Sequence, residues 1–241
     1  MKARLTFLLL LTALTVSQFC RAQNVRSMRY SSGNVYTGTY DGLSRPSGHG
    51  IMRFATGDIY EGEWLKGRQQ GKGVYKFATG DIYEGQWWKG KPHGEGVYKY
   101  VTGGRYEGNW EEGKMIGKGT FFYANGDILT AVFTDGENQT GNGTFTYAQG
   151  GKYEGDLVNG VPDGKGKRTW PDGSTYTGQW HQGMISGHGE YVYPSGARYV
   201  GGWKDGKYHG KGTYTDPKGQ STHAIYEEGK VTKYLDYLDK H

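Results

Sequence analysis

Short stretches of this chain alternate rings and glycine with charged side chains. In Tyr60-Glu61-Gly62-Glu63-Trp64 every second position is a ring or glycine, and the positions between are carboxylates. A period of two puts the rings on one face of a β-strand and the charges on the other. After a turn at Gly67 the alternation resumes, with Gly71, Gly73, Tyr75 and Phe77 on one face and Lys72, Val74 and Lys76 on the opposite one. Two such strands form a hairpin, and Ala78-Thr79-Gly80-Asp81 carries the turn residues that lead into the next.

The hairpin pattern repeats. Tyr60 to Trp64 recurs as Tyr83 to Trp87 and Tyr106 to Trp110, and in looser form as Tyr176 to Trp180 and Tyr199 to Trp203. Turn glycines at 57, 80, 103, 126, 150, 173, 196 and 219 are spaced by 23 residues, with a single step of 24. Units of this size stack, because each is too small to bury a core alone. The predicted fold is therefore all-β: an elongated, twisted antiparallel sheet of stacked 23-residue β-hairpins. Its repeat core is Tyr60, Trp64, Tyr83, Trp87, Tyr106, Trp110, Tyr176, Trp180, Tyr199 and Trp203. Eight units occupy residues 36–221, starting at Tyr36, Tyr60, Tyr83, Tyr106, Leu129, Tyr153, Tyr176 and Tyr199. An N-terminal cap and half repeat fill 23–35, and a worn half repeat with a C-terminal cap fills 222–241. At about 4.8 Å per strand the array should extend roughly 75 Å.

Glycine weakens a strand unless something occupies the space it leaves. The expected register sets Gly62 against Gly73 and Trp64 against Gly71, so that a ring lies over a bare position. Across the following turn the same logic pairs Tyr75 with Gly85 and Gly73 with Trp87. In the tail, Val231, Tyr234, Leu235 and Leu238 fall at helical spacing, which predicts a short capping helix over the last sheet edge. The fifth unit departs from the pattern, with Leu129, Ala131 and Phe133 where Tyr, Gly and Trp recur and an extra residue between Asp135 and Gly143. These residues keep the apolar face, so the departure reads as drift that still packs. Asn138 and Asn142 begin glycosylation sequons.

Composition agrees with a ring-built core. Only 34% of the 241 residues are apolar and 44 are glycine, whereas Tyr and Trp number 21 and 7. The first 22 residues have another purpose. Lys2 and Arg4 precede an apolar stretch from Leu5 to Val16, and Cys20-Arg21-Ala22 suits cleavage before Gln23. This is the layout of a secretory signal peptide, and it predicts a secreted or periplasmic protein. Cleavage takes three of the 29 basic residues and none of the 24 acidic ones, lowering the net charge from +5 to about +2. No basic run then remains to mark a nucleic-acid partner. Cys20 is the only cysteine, so the exported form would have no thiol or disulfide.

The phrase Tyr-Glu-Gly-x-Trp, a turn, Gly-x-Gly-x-Tyr and a final turn glycine resembles the MORN (membrane occupation and recognition nexus) repeat, over roughly Tyr30 to Lys230. The resemblance implies a twisted sheet of hairpins. It also implies a role in protein interaction and assembly, and less directly in binding acidic phospholipid. Enzymatic members of that family draw their activity from an attached domain, for which this chain has no room.

No catalytic or cofactor chemistry emerges from the residues. Gly117-Lys118-Gly119-Thr120 lacks the hydroxyl directly after lysine that a phosphate loop needs. His49, His93, His188 and His209 recur at repeat positions without matched ligands, so no metal site is predicted. Glu61, Glu84, Glu107 and Glu154 form an outward ladder suited to solubility. The predicted function is an exported, non-enzymatic interaction scaffold for a protein partner, with a homodimer left open. The alternative is a module for acidic membrane lipid or envelope glycan. Trp88 and Tyr208 are the candidate contact residues, since the repeat does not require them.

Overall fold

The computed structural model describes residues 25–136 and 138–235. Within them twenty strands form one elongated antiparallel sheet. Each strand pairs with the next in the chain, except that Ile128–Asp135 pairs with both Asn138–Gln139 and Gly141–Thr146. Among the described residues the edge strands are Arg26–Arg29 and Lys230–Tyr234. The signal peptide and its cut at Ala22/Gln23 lie outside the described residues.

Two turns alternate along the sheet. Leu65 to Arg68 is a two-residue hairpin loop whose central residues, Lys66 and Gly67, have φ of 51° and 82°. Both positions being left-handed is the mark of the turn whose twist matches paired strands. The Gly67 amide then donates to Pro46 O in the preceding unit at 2.8 Å, tying neighbours together. In the second turn, Gly80 N–H donates to Phe77 O at 2.9 Å and Phe77 N–H to Asp81 O at 2.9 Å. The Asp58 carboxylate locks the equivalent turn to the next one: Oδ1 accepts from Ala78 N at 2.8 Å and Oδ2 from the Tyr75 hydroxyl at 3.0 Å.

The core lies on the ring face. Tyr60 is fully buried between Trp64 and Trp87, edge-on to both, at centroid distances of 5.1 and 5.0 Å. Tyr83 repeats this between Trp87 and Trp110, and Tyr176 between Trp180 and Trp203. Such edge-to-face pairs add about 0.5–1.5 kcal/mol each beyond the area they bury. Every Trp of the column donates its indole N–H to a glycine carbonyl in the preceding strand, as Trp64 does to Gly50 O at 3.1 Å and Trp87 to Gly73 O at 3.2 Å.

The register corrects the one expected. Gly62 does face Gly73, but Trp64 faces Gln69 rather than Gly71. Between those pairs Glu63 confronts Gln70–Lys72, a bulge in which Gly71 takes φ of 61° and Glu63 Oε1 accepts from Lys72 N at 3.1 Å. Across the next turn Gly73 faces Gly85 and Tyr75 faces Tyr83, while Trp87 faces Gly71. The tight Phe77–Asp81 turn draws the strands two residues closer than expected. Glycine consequently meets glycine on most ladders, alanine replacing one of them at Ala131–Gly119 and Gly212–Ala224, and the ring over them is tyrosine: a methyl on Gly73 would lie 2.6 Å from Tyr60 Cε2 and Cζ.

The tail gives the second correction. Residues 230–234 form a strand, not a capping helix, with Tyr226 opposite Val231 and Ala224 opposite Tyr234. The unpaired edge of Ser221–Glu227 offers a ready ladder of hydrogen bonds, which outweighs a helical spacing of so few residues. Leu238 lies outside the described residues. In the fifth unit Leu129, Ala131 and Phe133 are all buried, and the strand slips register between Phe133 and Asp135.

Candidate interaction surface

The charged face carries the outward glutamate ladder. Glu84, Glu107 and Glu154 form exposed ion pairs with Lys99, Arg105 and Lys152 at 3.5, 2.6 and 2.9 Å. Pairs of that exposure contribute little to stability. Among the described residues no three His, Cys, Asp or Glu side chains gather into a metal site. The Nδ1 atoms of His93 and His209 are buried without a hydrogen-bond partner.

The two contact candidates have different surroundings and lie far apart along the sheet. Trp88 ends the strand Ile82–Trp88 with 44% of its surface exposed, and Lys89 Nζ sits 5.4 Å from the centre of its ring. Tyr208 is half-buried. Its ring stacks on Tyr199 at 3.8 Å and meets Trp203 edge-on at 4.7 Å, while its hydroxyl bonds that of Tyr193. Burial, followed by the bond to Tyr193, pushes the Tyr208 hydroxyl well above the ordinary tyrosine pKa. In phase with Gln69, Pro92 and Ile185, Tyr208 faces the column tryptophan of its own unit.

Beside the buried column runs a second, half-buried row of rings that alternation alone did not single out. From Phe54 through Tyr75, Phe77, Tyr98 and Tyr100 to Tyr147, neighbouring centroids are 4.6–5.8 Å apart. The row resumes at Trp170 and continues through Tyr191 and Tyr193 to Tyr214. Arg168 stands in the gap, in the ladder position that Tyr75 and Tyr98 hold elsewhere. The sequence signal was available: Gly164-Lys165-Gly166-Lys167-Arg168 puts a charge where Gly-x-Gly is followed by Met52 in the first unit and by an aromatic in the others.

The family model for the MORN repeat matches residues 44–59, 60–82, 83–105, 106–128, 138–152, 153–175, 176–198 and 199–221. The chain belongs to the MORN repeat family. Six of the matched MORN segments begin at the tyrosine that starts the buried column of its unit, from Tyr60 to Tyr199. The irregular strand around Leu129 and Phe133 falls between matched segments. One solved structure shares the MORN array's architecture. The TCP10 domain of Danio rerio CPAP, in complex with a peptide of Danio rerio STIL, superposes with a TM-score of 0.53 at 12% identity, covering 89% of this chain and 95% of that one. The same domain solved by itself gives 0.49 at 12% identity, with coverage of 87% and 97%. At such identity the likeness is one of fold. No curated protein matches the sequence. As a MORN-repeat protein the chain is a non-catalytic module, in which the conspicuous Tyr and Trp residues are structural.

Proposed function

We propose that this protein is an exported MORN scaffold that holds a protein partner against its extended sheet. The observation that carries the reading is Trp88: a large ring, 44% exposed beside Lys89, at a position where the repeat asks for no ring. Exposed aromatics flanked by cations are typical anchors of protein interfaces. The solved TCP10 domain, of similar fold, carries a bound peptide, which supports an interaction role for such a sheet. Export rests on the leader at residues 1–22, and amino-terminal sequencing of the mature protein should begin at Gln23.

The test is cross-linking and recovery of the protein from its native compartment, comparing wild type with Trp88→Ala. A reproducible protein partner that purified components rebind, and that Trp88→Ala releases while the fold stays intact, supports the scaffold. Saturable binding to acidic vesicles or to a glycan array, without any such partner, would replace it with the ligand-module reading.

A further inference from the structure

Arg168 occupies a tyrosine position but does not behave as a spacer. Its guanidinium carbon lies 4.2 Å from the centre of the Tyr147 ring and 5.1 Å from that of Trp170. Its Nε is buried without a hydrogen-bond partner, and among the described residues no carboxylate pairs with it. The guanidinium stacks on two rings with Asp127 on the same cavity wall but not in ion-pair contact, and a ring here would continue the row as Phe145 and Tyr191 do in the flanking units. Residues that break a repeat's own rule at a cost in stability tend to mark function.

The surroundings form a cavity of about 390 Å³, lined by Tyr147, Arg168, Trp170 and Pro171 with Asn125 and Asp127 at its polar side. That size and mixture fit small-ligand pockets generally, which run from about 300 to 1,000 Å³. The Asp127 oxygens are already engaged, Oδ1 by Ala148 N and Oδ2 by Asn125 Nδ2, both at 2.8 Å. The cationic donors in the cavity belong to the guanidinium fork, whose planar geometry suits a carboxylate, with the Gln149 amide on the same lining. The rings and Pro171 supply a flat apolar wall, complementary to the C–H face of a sugar ring. Asn125 retains an amide hydrogen for a hydroxyl.

We infer that this cavity binds a carboxylate-bearing pyranose, the acidic unit of a glycan, with Arg168 holding the carboxylate and Trp170 the sugar face. The site lies on other strands than Trp88, so Arg168→Tyr removes glycan binding here while leaving the Trp88 test of the scaffold in place. Titration of the mature chain with methyl glucuronide, followed by tryptophan fluorescence and NMR, tests it, with methyl glucoside and acetate as separate arms. Glucuronide should bind saturably and at least about tenfold more tightly than glucoside, as one charged hydrogen-bonded contact gives. Acetate should bind weakly. Arg168→Tyr installs the residue that other units carry, so it should keep or raise the unfolding temperature while weakening glucuronide about tenfold or more. Trp170→Leu should weaken both sugars. Lack of saturation, equal affinity for glucoside, or unchanged binding in Arg168→Tyr overturns the assignment. Tighter binding of a short peptide through its terminal carboxylate overturns the sugar class.

Discussion

Adding a single methyl at Gly73 should damage the array more than removing many of its surface charges. The new Cβ would lie 2.6 Å from Tyr60 Cε2 and Cζ, and closer still to its hydroxyl. Tyr60 cannot easily yield. Its ring is wedged between Trp64 and Trp87, and its hydroxyl donates to Glu63 O at 3.0 Å. Overpacking of a rigid core costs about 1–3 kcal/mol. Loss of the tyrosine hydrogen bond adds about 1 kcal/mol, while the stiffer unfolded chain returns about 0.4–1 kcal/mol. The expected net destabilisation of Gly73→Ala is roughly 1–3.5 kcal/mol on these terms. Urea unfolding followed by tryptophan fluorescence, at unchanged slope, would measure it. The decisive comparison is a double-mutant cycle with Tyr60→Ala, which removes the three atoms nearest the new methyl. There Gly73→Ala should cost less than about 0.5 kcal/mol. A neutral Gly73→Ala, or an equal penalty in both backgrounds, refutes the claim that the glycine row exists to seat the tyrosine.

Asp58→Ala removes acceptors for Ala78 N, the Tyr75 hydroxyl and the Thr56 hydroxyl, and should destabilise by roughly 1–2 kcal/mol in the same unfolding assay. Those bonds, the Ala78 amide foremost, hold the Asp58 carboxyl below its usual pKa. Its contribution is thus present above the unfolded value near 3.8 and lost as pH falls through the lower folded value, so Asp58→Asn should flatten the acid limb of a stability profile. At the other extreme, burial pushes Tyr36, Tyr106 and Tyr176 up to about 12 from 10.0. Folding then binds protons that the unfolded chain releases, so stability should be intact below pH 10 and decline towards pH 12, with tyrosinate absorbance appearing together with unfolding. Phe133→Trp should stabilise the fifth unit by about 0.5–1.5 kcal/mol, because its indole gains the acceptor Gly119 O, as Trp110 uses Gly96 O. A lowered thermal midpoint would show that the strand around Phe133 does not share its neighbours' geometry.

Much of the frame was legible because period-two alternation directly encodes which side of a strand faces the core. Tyr60, Trp64 and their counterparts were placed in the core by that rule, and they are buried. Register was less accessible, because the two glycines of Gly-x-Gly do different work. Gly73 leaves room for a ring, whereas Gly71 takes a positive φ inside a bulge clamped by Glu63. Identical letters cannot distinguish those duties, and counting from the loop without the bulge moved Trp64 onto the wrong partner. In the tail, Val231 and Tyr234 matched a helical spacing, but the edge beside them supplied the hydrogen bonds that settled the segment as strand. Tyr208 stood out by identity alone, yet its surroundings are rings from several strands. Arg168 went unnoticed for the opposite reason: what marks it is the ring it replaces.

The two open edges carry an electrostatic consequence. Arg26 and Arg29 lie on one terminal strand, and Lys230 and Lys233 on the other. Two copies approaching end to end would bring cations against cations along the seam where backbone pairing would begin. Matched charge at both ends thus opposes growth into a filament without spending any of the broad surface between them. A bridging polyanion, or enough salt to screen contacts beyond about 8–10 Å, would relax that barrier and let the array lengthen by joining copies of itself.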